Sequence, residues 1–172
     1  CAFLMLVIDA IHYIWDKGGV NNIGEIDMPN WTSNILNISG KPEAVDKFVD
    51  HMGDVMDFEK VIPSPENMFR DNLSQKDKER CAAQGIPTWW DWNIEHWGTK
   101  WNARCDEGSV ELEKFDRINI KQATYRFETA WDTPRPVIAA LWEQWPDLDF
   151  DGGYVHEGYE GCGAFWEFNK RE

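Results

Sequence analysis

The chain has 172 residues, and its 31 acidic and 17 basic side chains give a formal net charge of −14. This length suits one domain with a substantial core and makes a second domain unexpected. Because Lys and Arg neutralise phosphates in non-specific nucleic-acid binding, the acid excess disfavours direct binding of DNA or RNA. Solubility is the simplest explanation of the acid excess, and imitation of a nucleic-acid backbone is the alternative.

The four cysteines are scattered along the sequence, without a CxxC pair or a regular framework; they are Cys1, Cys81, Cys105 and Cys162. This pattern favours free thiols in a reducing compartment, so we expect a cytoplasmic protein without a zinc site. We interpret residues 1–27 as an N-terminal extension or linker, and whether it is native to the domain stays open. Its apolar start is interrupted by Asp9 and His12. It therefore falls short of the ~20 apolar residues that a membrane-spanning helix needs.

From Met28 onward the patterns alternate between strands and helices. They predict a strand over 35–39, a helix over 42–52, a strand over 58–62, an insertion at about 63–116, a strand over 117–131, a helix over 133–145, and strands over 148–155 and 163–169. The charged residues 104–116 are expected to form a loop or an edge strand. Two β-α-β units of this kind make an α+β, ferredoxin-like split β-α-β sandwich. We therefore expect one domain over 28–172, with an antiparallel sheet, helices on one face and a helical Trp-rich insertion.

The stretch Thr88–Ala103 holds five of the eleven tryptophans. Thr88 with Asp91 predicts a helix N-cap, and Gly98 is expected either to end the helix or to admit a neighbouring backbone. One helical stripe, predicted to be a buried anchor, consists of Trp90, Ile94, Trp97 and Trp101. A second stripe consists of Trp89, Trp92 and His96. These three residues are our candidates for binding a partner, provided that they are exposed.

Catalytic and metal chemistry is less well supported than binding. Asp91, Glu95 and His96 lie close in sequence, but Asp91 and His96 project to different faces of a helix, so we predict no metal site and no cofactor. The simplest interpretation of His96 is a half-buried ring packed on Trp92. A small hydrolase or transferase that uses a carboxylate with His96 remains an alternative. Strand aromatics that could stack nucleic-acid bases are Tyr125, Phe127, Phe165 and Trp166, although acidic neighbours disfavour this role.

Several motifs arrive in one order across the core: MPNWTSN from Met28, WGTKWNA from Trp97, TAWDTPRPVIAAL from Thr129, WPDLDF from Trp145 and Gly-Cys-Gly near the end. Together they resemble the YubB-type ferredoxin-like family, the Api-like proteins of phages and plasmids, over residues 28–172. The resemblance implies a ferredoxin-like fold and a mobile-element origin, and it carries over no catalytic residue. The motif positions, expected mostly to serve packing, are Pro29, Asn30, Trp31, Asn34, Trp97, Gly98, Thr99, Lys100, Trp101, Trp131 and Pro136.

These observations lead us to expect a non-enzymatic, protein-binding accessory module of a phage or plasmid in the cytoplasm of a bacterial host. Its partner would be a protein of the host or of the mobile element, bound through tryptophan anchors with an acidic surround. An acidic nucleic-acid mimic that acts against a host defence enzyme is the first alternative. The hydrolase or transferase is the second.

Overall fold

The computed structural model describes residues 30–105, 110–115, 119–157 and 161–164. The strands are β1 (Trp31–Gly40), β2 (Val110–Phe115), β3 (Ile120–Ala130), β4 (Leu148–His156) and β5 (Cys162–Ala164), and the helices are α1 (Pro42–Met52), α2 (Gln75–Gln84), α3 (Trp89–His96) and α4 (Arg135–Gln144). The sheet order is β2-β3-β1-β4-β5, and every neighbouring pair is antiparallel. This is the ferredoxin-like arrangement with one short strand added at an edge. The predicted α+β, ferredoxin-like class is confirmed.

The core lies between one face of the sheet and the helices α1 and α4. Strand residues of one parity, such as Leu36, Tyr125 and Phe150, point to this face because successive side chains of a strand alternate. Phe48 of α1 is fully buried among them, and its ring meets both Tyr125 and Phe150 edge-on. Leu141 is fully buried on α4. The large aromatic rings therefore join both helices to the sheet.

Helix α1 has the bounds that the sequence predicts, and two residues explain why. Pro42 stands in its first turn, where a missing backbone N–H costs no helical hydrogen bond. Gly53 follows the last residue with φ +82°, a backbone conformation that suits glycine. The helix therefore stops at Met52, and Tyr125 of β3 donates its phenolic hydrogen to the Gly53 carbonyl at 2.8 Å.

The strand predicted over Phe58–Ile62 is wrong. Phe58–Lys60 is a 3-10 turn, because the Asp57 carboxylate accepts the Glu59 N–H and closes the chain locally. The second strand of the ferredoxin-like order is β2 instead, which lies within the charged residues 104–116. The edge-strand interpretation of that segment is confirmed, since β2 pairs with β3 and lies at the end of the strand order in the described sheet. β2 also falls inside the stretch predicted as an insertion.

Helix α3 is shorter than the tryptophan-rich stretch that contains it. Its N-cap is confirmed, because the Thr88 hydroxyl accepts the Asp91 N–H. The helix ends at His96, and Gly98 then adopts φ +76° against Pro136, where an added Cβ would lie 2.9 Å from Pro136 Cδ. Gly98 thus follows the end of the helix and also admits a close neighbour.

The predicted buried stripe of α3 is wrong in two of its four members. Trp97 is buried, and Trp90 is half-buried. Ile94 and Trp101 are each 37% exposed. The helix ends before it reaches Trp101, so a helical spacing of eleven residues has no meaning there.

Several predictions fall outside the described residues. They concern the extension over 1–27, Pro29, part of the strand over 117–131, the final strand beyond Ala164, and the ring positions Phe165 and Trp166. Of the final strand, Cys162–Ala164 is present as β5. Among the residues that the structure describes, no helix combines the length and apolar character needed to cross a membrane.

Candidate functional site

The loop that follows α3 is fixed from both of its ends. Trp97 is only 3% exposed and donates its indole N–H to the Ile62 carbonyl at 2.9 Å. Asn93 donates its side-chain amide to the Lys100 carbonyl at 2.9 Å, and the Thr99 hydroxyl donates to the Trp101 carbonyl at 2.7 Å. With its backbone held in this way, the loop presents the side chains of Lys100 and Trp101 in a defined direction.

A buried polar network fixes the turn that follows β3. Asn34 is buried, donates to the Thr129 hydroxyl at 2.9 Å and accepts from the Thr133 hydroxyl at 2.8 Å. The Thr129 hydroxyl lies 2.8 Å from the Asp132 carbonyl, to which it donates. Buried polar groups that find partners in this way define one backbone path. The turn between Thr129 and Thr133 therefore has a fixed course, and Trp131 lies at its centre.

Trp131 has an unusual backbone and an exposed ring. Its φ is +77°, in the left-handed region that few bulky residues adopt. Its N–H donates to the Asn30 carbonyl at 2.8 Å, which extends the pairing of β1 with β3 by one residue. The side chain is 40% exposed. Such backbone strain persists only where the surroundings impose it, and it concentrates at functional sites.

The two fixed segments meet around one ammonium group. Lys100 Nζ lies 4.4 Å from the ring centre of Trp101, 5.1 Å from that of Trp90 and 5.2 Å from that of Trp131. The rings of Trp90 and Trp131 also contact each other edge-on at 5.1 Å. We call Lys100 with these three indoles the Lys100 cage. Cation–π attraction of this kind contributes about 0.5–2 kcal/mol per contact, depending on solvation.

A further tryptophan extends the Lys100 cage toward β1. The ring of Trp31 lies 6.2 Å from that of Trp101, and the Arg104 guanidinium lies over the Trp31 ring at 5.1 Å. Arg104 is exposed, and its backbone N–H and carbonyl both bond to Glu128 of β3. The surface thus presents aromatic rings with two cationic groups among them.

A cleft of about 450 Å³ opens beside the Lys100 cage. Its lining includes Asn72, Lys78, Trp89, Trp90, Lys100 and Trp101. We call it the Trp89 cleft. Trp89 is held in its wall by an indole hydrogen bond to the Asp71 carbonyl at 3.1 Å. Among the described residues that line this cleft there is no Asp or Glu.

The three predicted partner-binding residues do not form one exposed stripe. Trp92 is 7% exposed and belongs to the core, so the condition of exposure that was set for partner binding is not met at this residue. His96 stacks flat on Trp92 at 4.4 Å and is half-buried, which confirms its packing interpretation. Trp89 is half-buried and lines the Trp89 cleft. The partner-binding roles of Trp89 and His96 stay predictions.

The structure brings together the motif positions that lie within the described residues. Those in the Lys100 cage or beside it are Trp31, Lys100, Trp101 and Trp131, and those that hold their backbones in place are Asn30, Asn34, Trp97, Gly98, Thr99 and Pro136. The contacts of the second set are those of supporting residues, and the packing role expected for most motif positions stays a prediction. Sequence reasoning missed the first set as a surface feature because its members come from three distant segments.

One arrangement resembles a catalytic triad but cannot act as one. Thr32 Oγ1 lies 2.8 Å from His156 Nδ1, and the other ring nitrogen of His156 lies 3.7 Å from Asp132 Oδ1. A nucleophile must reach its substrate, and Thr32 is fully buried. Thr32, His156 and Asp132 therefore serve as polar links between β1, β4 and the turn that contains Trp131.

Three other chemistries considered from the sequence can be compared with the structure. Tyr125 and Phe127 are buried beneath the helices, so neither ring offers a platform for stacking bases. The Nδ1 atom of His96 lies 3.0 Å from the Trp92 carbonyl, and the ion pairs found among the described residues do not include His96. Within the same residues, no group of three His, Cys, Asp or Glu side chains is placed to hold a metal ion.

Comparison with known proteins gives a family match over part of the chain. No curated protein and no solved structure matches the chain significantly. Residues 96–166 match the family model described as a ferredoxin-like domain in Api92-like protein. The match includes the loop that carries Lys100 and Trp101, together with β3, α4 and β4. The resemblance predicted from the sequence motifs is thus confirmed over this segment, which is similar to the ferredoxin-like domain of Api92-like proteins.

Proposed function

We propose that this domain is a non-enzymatic protein-binding module whose contact surface is the Lys100 cage together with Trp31. The observation that carries the proposal is Trp131, which holds a large ring at the surface in a left-handed backbone conformation. A strained backbone of this kind costs about 1–3 kcal/mol. A residue whose only role was stability would not be expected to combine such strain with an exposed indole.

The composition of the surface supports a protein partner. Tryptophan, tyrosine and arginine dominate the energy of protein interfaces, and the proposed surface has four indoles with Arg104 beside them. Trp101 and Trp131 are already fixed by the loop and turn beneath them, so ordering them on binding costs little entropy. In this proposal the protein is an accessory factor of a phage or plasmid, and its partner is a protein of the bacterial host or of the element itself.

The test begins with recovery of the partner and ends with affinities measured on purified components. The tagged chain would be used as bait in the host, and the partner would then be titrated by calorimetry with the wild type, Trp101→Ala and Leu112→Ala. We expect Trp101→Ala to weaken binding by ~30-fold or more, since central aromatic anchors each contribute about 2 kcal/mol or more. Leu112 is 49% exposed on β2 and serves as the control for removal of an exposed apolar side chain.

Two results would contradict this function. One is equal affinity of the partner for the wild type and Trp101→Ala. The other is a DNA- or RNA-binding partner whose complex weakens steeply with salt yet ignores Trp101→Ala, because that behaviour belongs to nucleic-acid mimicry by the acidic surface. A complex that depends on Trp101 and survives moderate salt supports the proposal.

A further inference from the structure

The Trp89 cleft has a local charge opposite to that of the protein as a whole. Two lysines, Lys78 and Lys100, line it, whereas the chain has a net charge of −14. A second cleft, of about 370 Å³ between α1 and α4, also contains two lysines, but Glu43 and Asp147 line it as well. A pair of lysines is therefore not unusual on this surface, while a pair with no carboxylate among the described lining residues distinguishes the Trp89 cleft.

The position and charge of the Lys100 ammonium suit the binding of an anion. The three indoles of the Lys100 cage position it without neutralising its charge, because ring quadrupoles attract a cation but accept no proton. A lysine fixed in this way loses less rotamer freedom on binding than a free surface lysine does. Its charge and its N–H donors remain available to an anionic oxygen in the cleft.

The walls of the cleft suit a flat ring. Trp89, Trp90 and Trp101 supply indole surfaces, and the Asn72 side chain supplies both a donor and an acceptor. Stacking on such residues contributes about 1–3 kcal/mol per nucleobase. The volume of about 450 Å³ lies in the range of pockets that hold small ligands.

Overall charge limits the length of the ligand. A long polyanion that enters the cleft would extend beyond the two lysines over a protein of net charge −14, which repels it. A ligand with a single anionic group meets only Lys78 and Lys100. We propose that the Trp89 cleft is a binding site for a small planar organic anion of the nucleoside monophosphate class, with the ring between the indoles and the phosphate between the two lysines.

Titration of the full chain with AMP tests this site. The indole N–H signals of the tryptophans would be followed by NMR, and the Kd would be measured by calorimetry. We expect a Kd of roughly 10–1000 µM, with shifts at Trp89, Trp90 and Trp101. The Trp97 indole, which is buried against the Ile62 carbonyl, is expected to stay in place and to report that the fold is intact.

Matched ligands and variants separate recognition of the ligand's charge from recognition of its ring. Adenosine, which lacks the charge, and inorganic phosphate, which lacks the ring, are each expected to bind about tenfold or more weakly than AMP. Lys78→Gln and Lys100→Gln are each expected to weaken the binding of AMP by a similar factor. Lys47→Gln, in the second cleft, is expected to leave the Kd for AMP unchanged.

Four outcomes would overturn the proposal. One is the absence of saturable binding at about 5 mM AMP, several times the weakest Kd expected, and the second is equal binding of adenosine and AMP. The third is much tighter binding of a ten-residue oligothymidylate than of thymidine monophosphate. The fourth is displacement of Lys100 by tetramethylammonium, which would make the Lys100 cage a site for cations. The cleft shares Trp90, Lys100 and Trp101 with the proposed contact surface, so residues outside the shared set separate the two proposals: Lys78 lines only the cleft, and Trp131 belongs only to the contact surface.

Discussion

The tryptophans of this domain fall into two groups with opposite surroundings. Trp97 is buried, donates its indole N–H to a backbone carbonyl and contacts Phe58 and Trp92 edge-on. Trp131 is exposed, has a strained backbone and contacts an ammonium group and another indole. Interior burial stabilises the fold, whereas an exposed indole in a strained position does little for it. The same residue type therefore serves as an anchor of the core in one place and as a contact surface in the other.

Removal of the buried indole is expected to have the largest effect. Trp97→Ala leaves a cavity beside Phe58 and Trp92 and should lower the free energy of unfolding by about 3–5 kcal/mol. Chemical denaturation followed by circular dichroism measures this loss. Ile94→Ala, an exposed truncation on α3, is the control and should cost less than about 1 kcal/mol. A loss below 1 kcal/mol for Trp97→Ala would mean that the interior group is not the anchor.

A second buried aromatic sharpens the comparison through its pH dependence. Tyr125 is fully buried and donates to the Gly53 carbonyl; desolvation by burial, followed by the nearby charge of Asp54, raises the pKa of its phenol. The folded state thus favours the neutral phenol. Its contribution to stability is full below the ordinary pKa of about 10 and falls as the pH rises from there toward the higher pKa of the folded state.

Tyr125→Phe removes both the hydrogen bond and this pH dependence. At pH 7 the variant should be about 1 kcal/mol less stable than the wild type. Above pH 10 the difference should shrink, because only the wild type must keep a phenol neutral. Denaturation at several pH values between 7 and 11 measures the trend. A difference that stays constant across this range would contradict the link between the Tyr125 pKa and folding.

The main architecture can be predicted from the sequence where the hydrophobic periodicity agrees with the proline and glycine residues that mark the ends of elements. Helix α1 is predicted with correct bounds because Pro42 and Gly53 mark its two ends. β1 begins earlier than the predicted strand. The prediction missed this part because Thr32, Ser33 and Asn34 are polar, although they are buried. The Thr32 hydroxyl and the Asn34 amide find partners inside the fold, so polarity at these positions does not mean exposure.

The errors come from residues whose partners are distant in sequence. β2 reads VELEKF, and its apolar alternation is limited to Val110 and Leu112 among charged residues, with Leu112 exposed at the sheet edge, so the sequence signal for a strand is weak. Phe58–Ile62 is a local exception, because its apolar residues flank two charged ones as in a short strand, but the Asp57 carboxylate closes a 3-10 turn there. The Lys100 cage draws on Trp90, Lys100 and Trp131, which come together only through the fold. The sequence supplies these rings, but it does not reveal that they surround one ammonium group.

The most direct test of the central claim is the stability of Trp131→Gly. Glycine adopts φ +77° without steric cost, which removes strain of about 1–3 kcal/mol, while the lost ring contacts and the greater freedom of the unfolded chain offset that gain. If the surface group is maintained for binding, the free energy of unfolding should stay within about 1 kcal/mol of the wild type, while affinity for the partner is lost. A loss of about 3 kcal/mol or more, as expected for Trp97→Ala, would show that Trp131 serves the fold and would contradict the account.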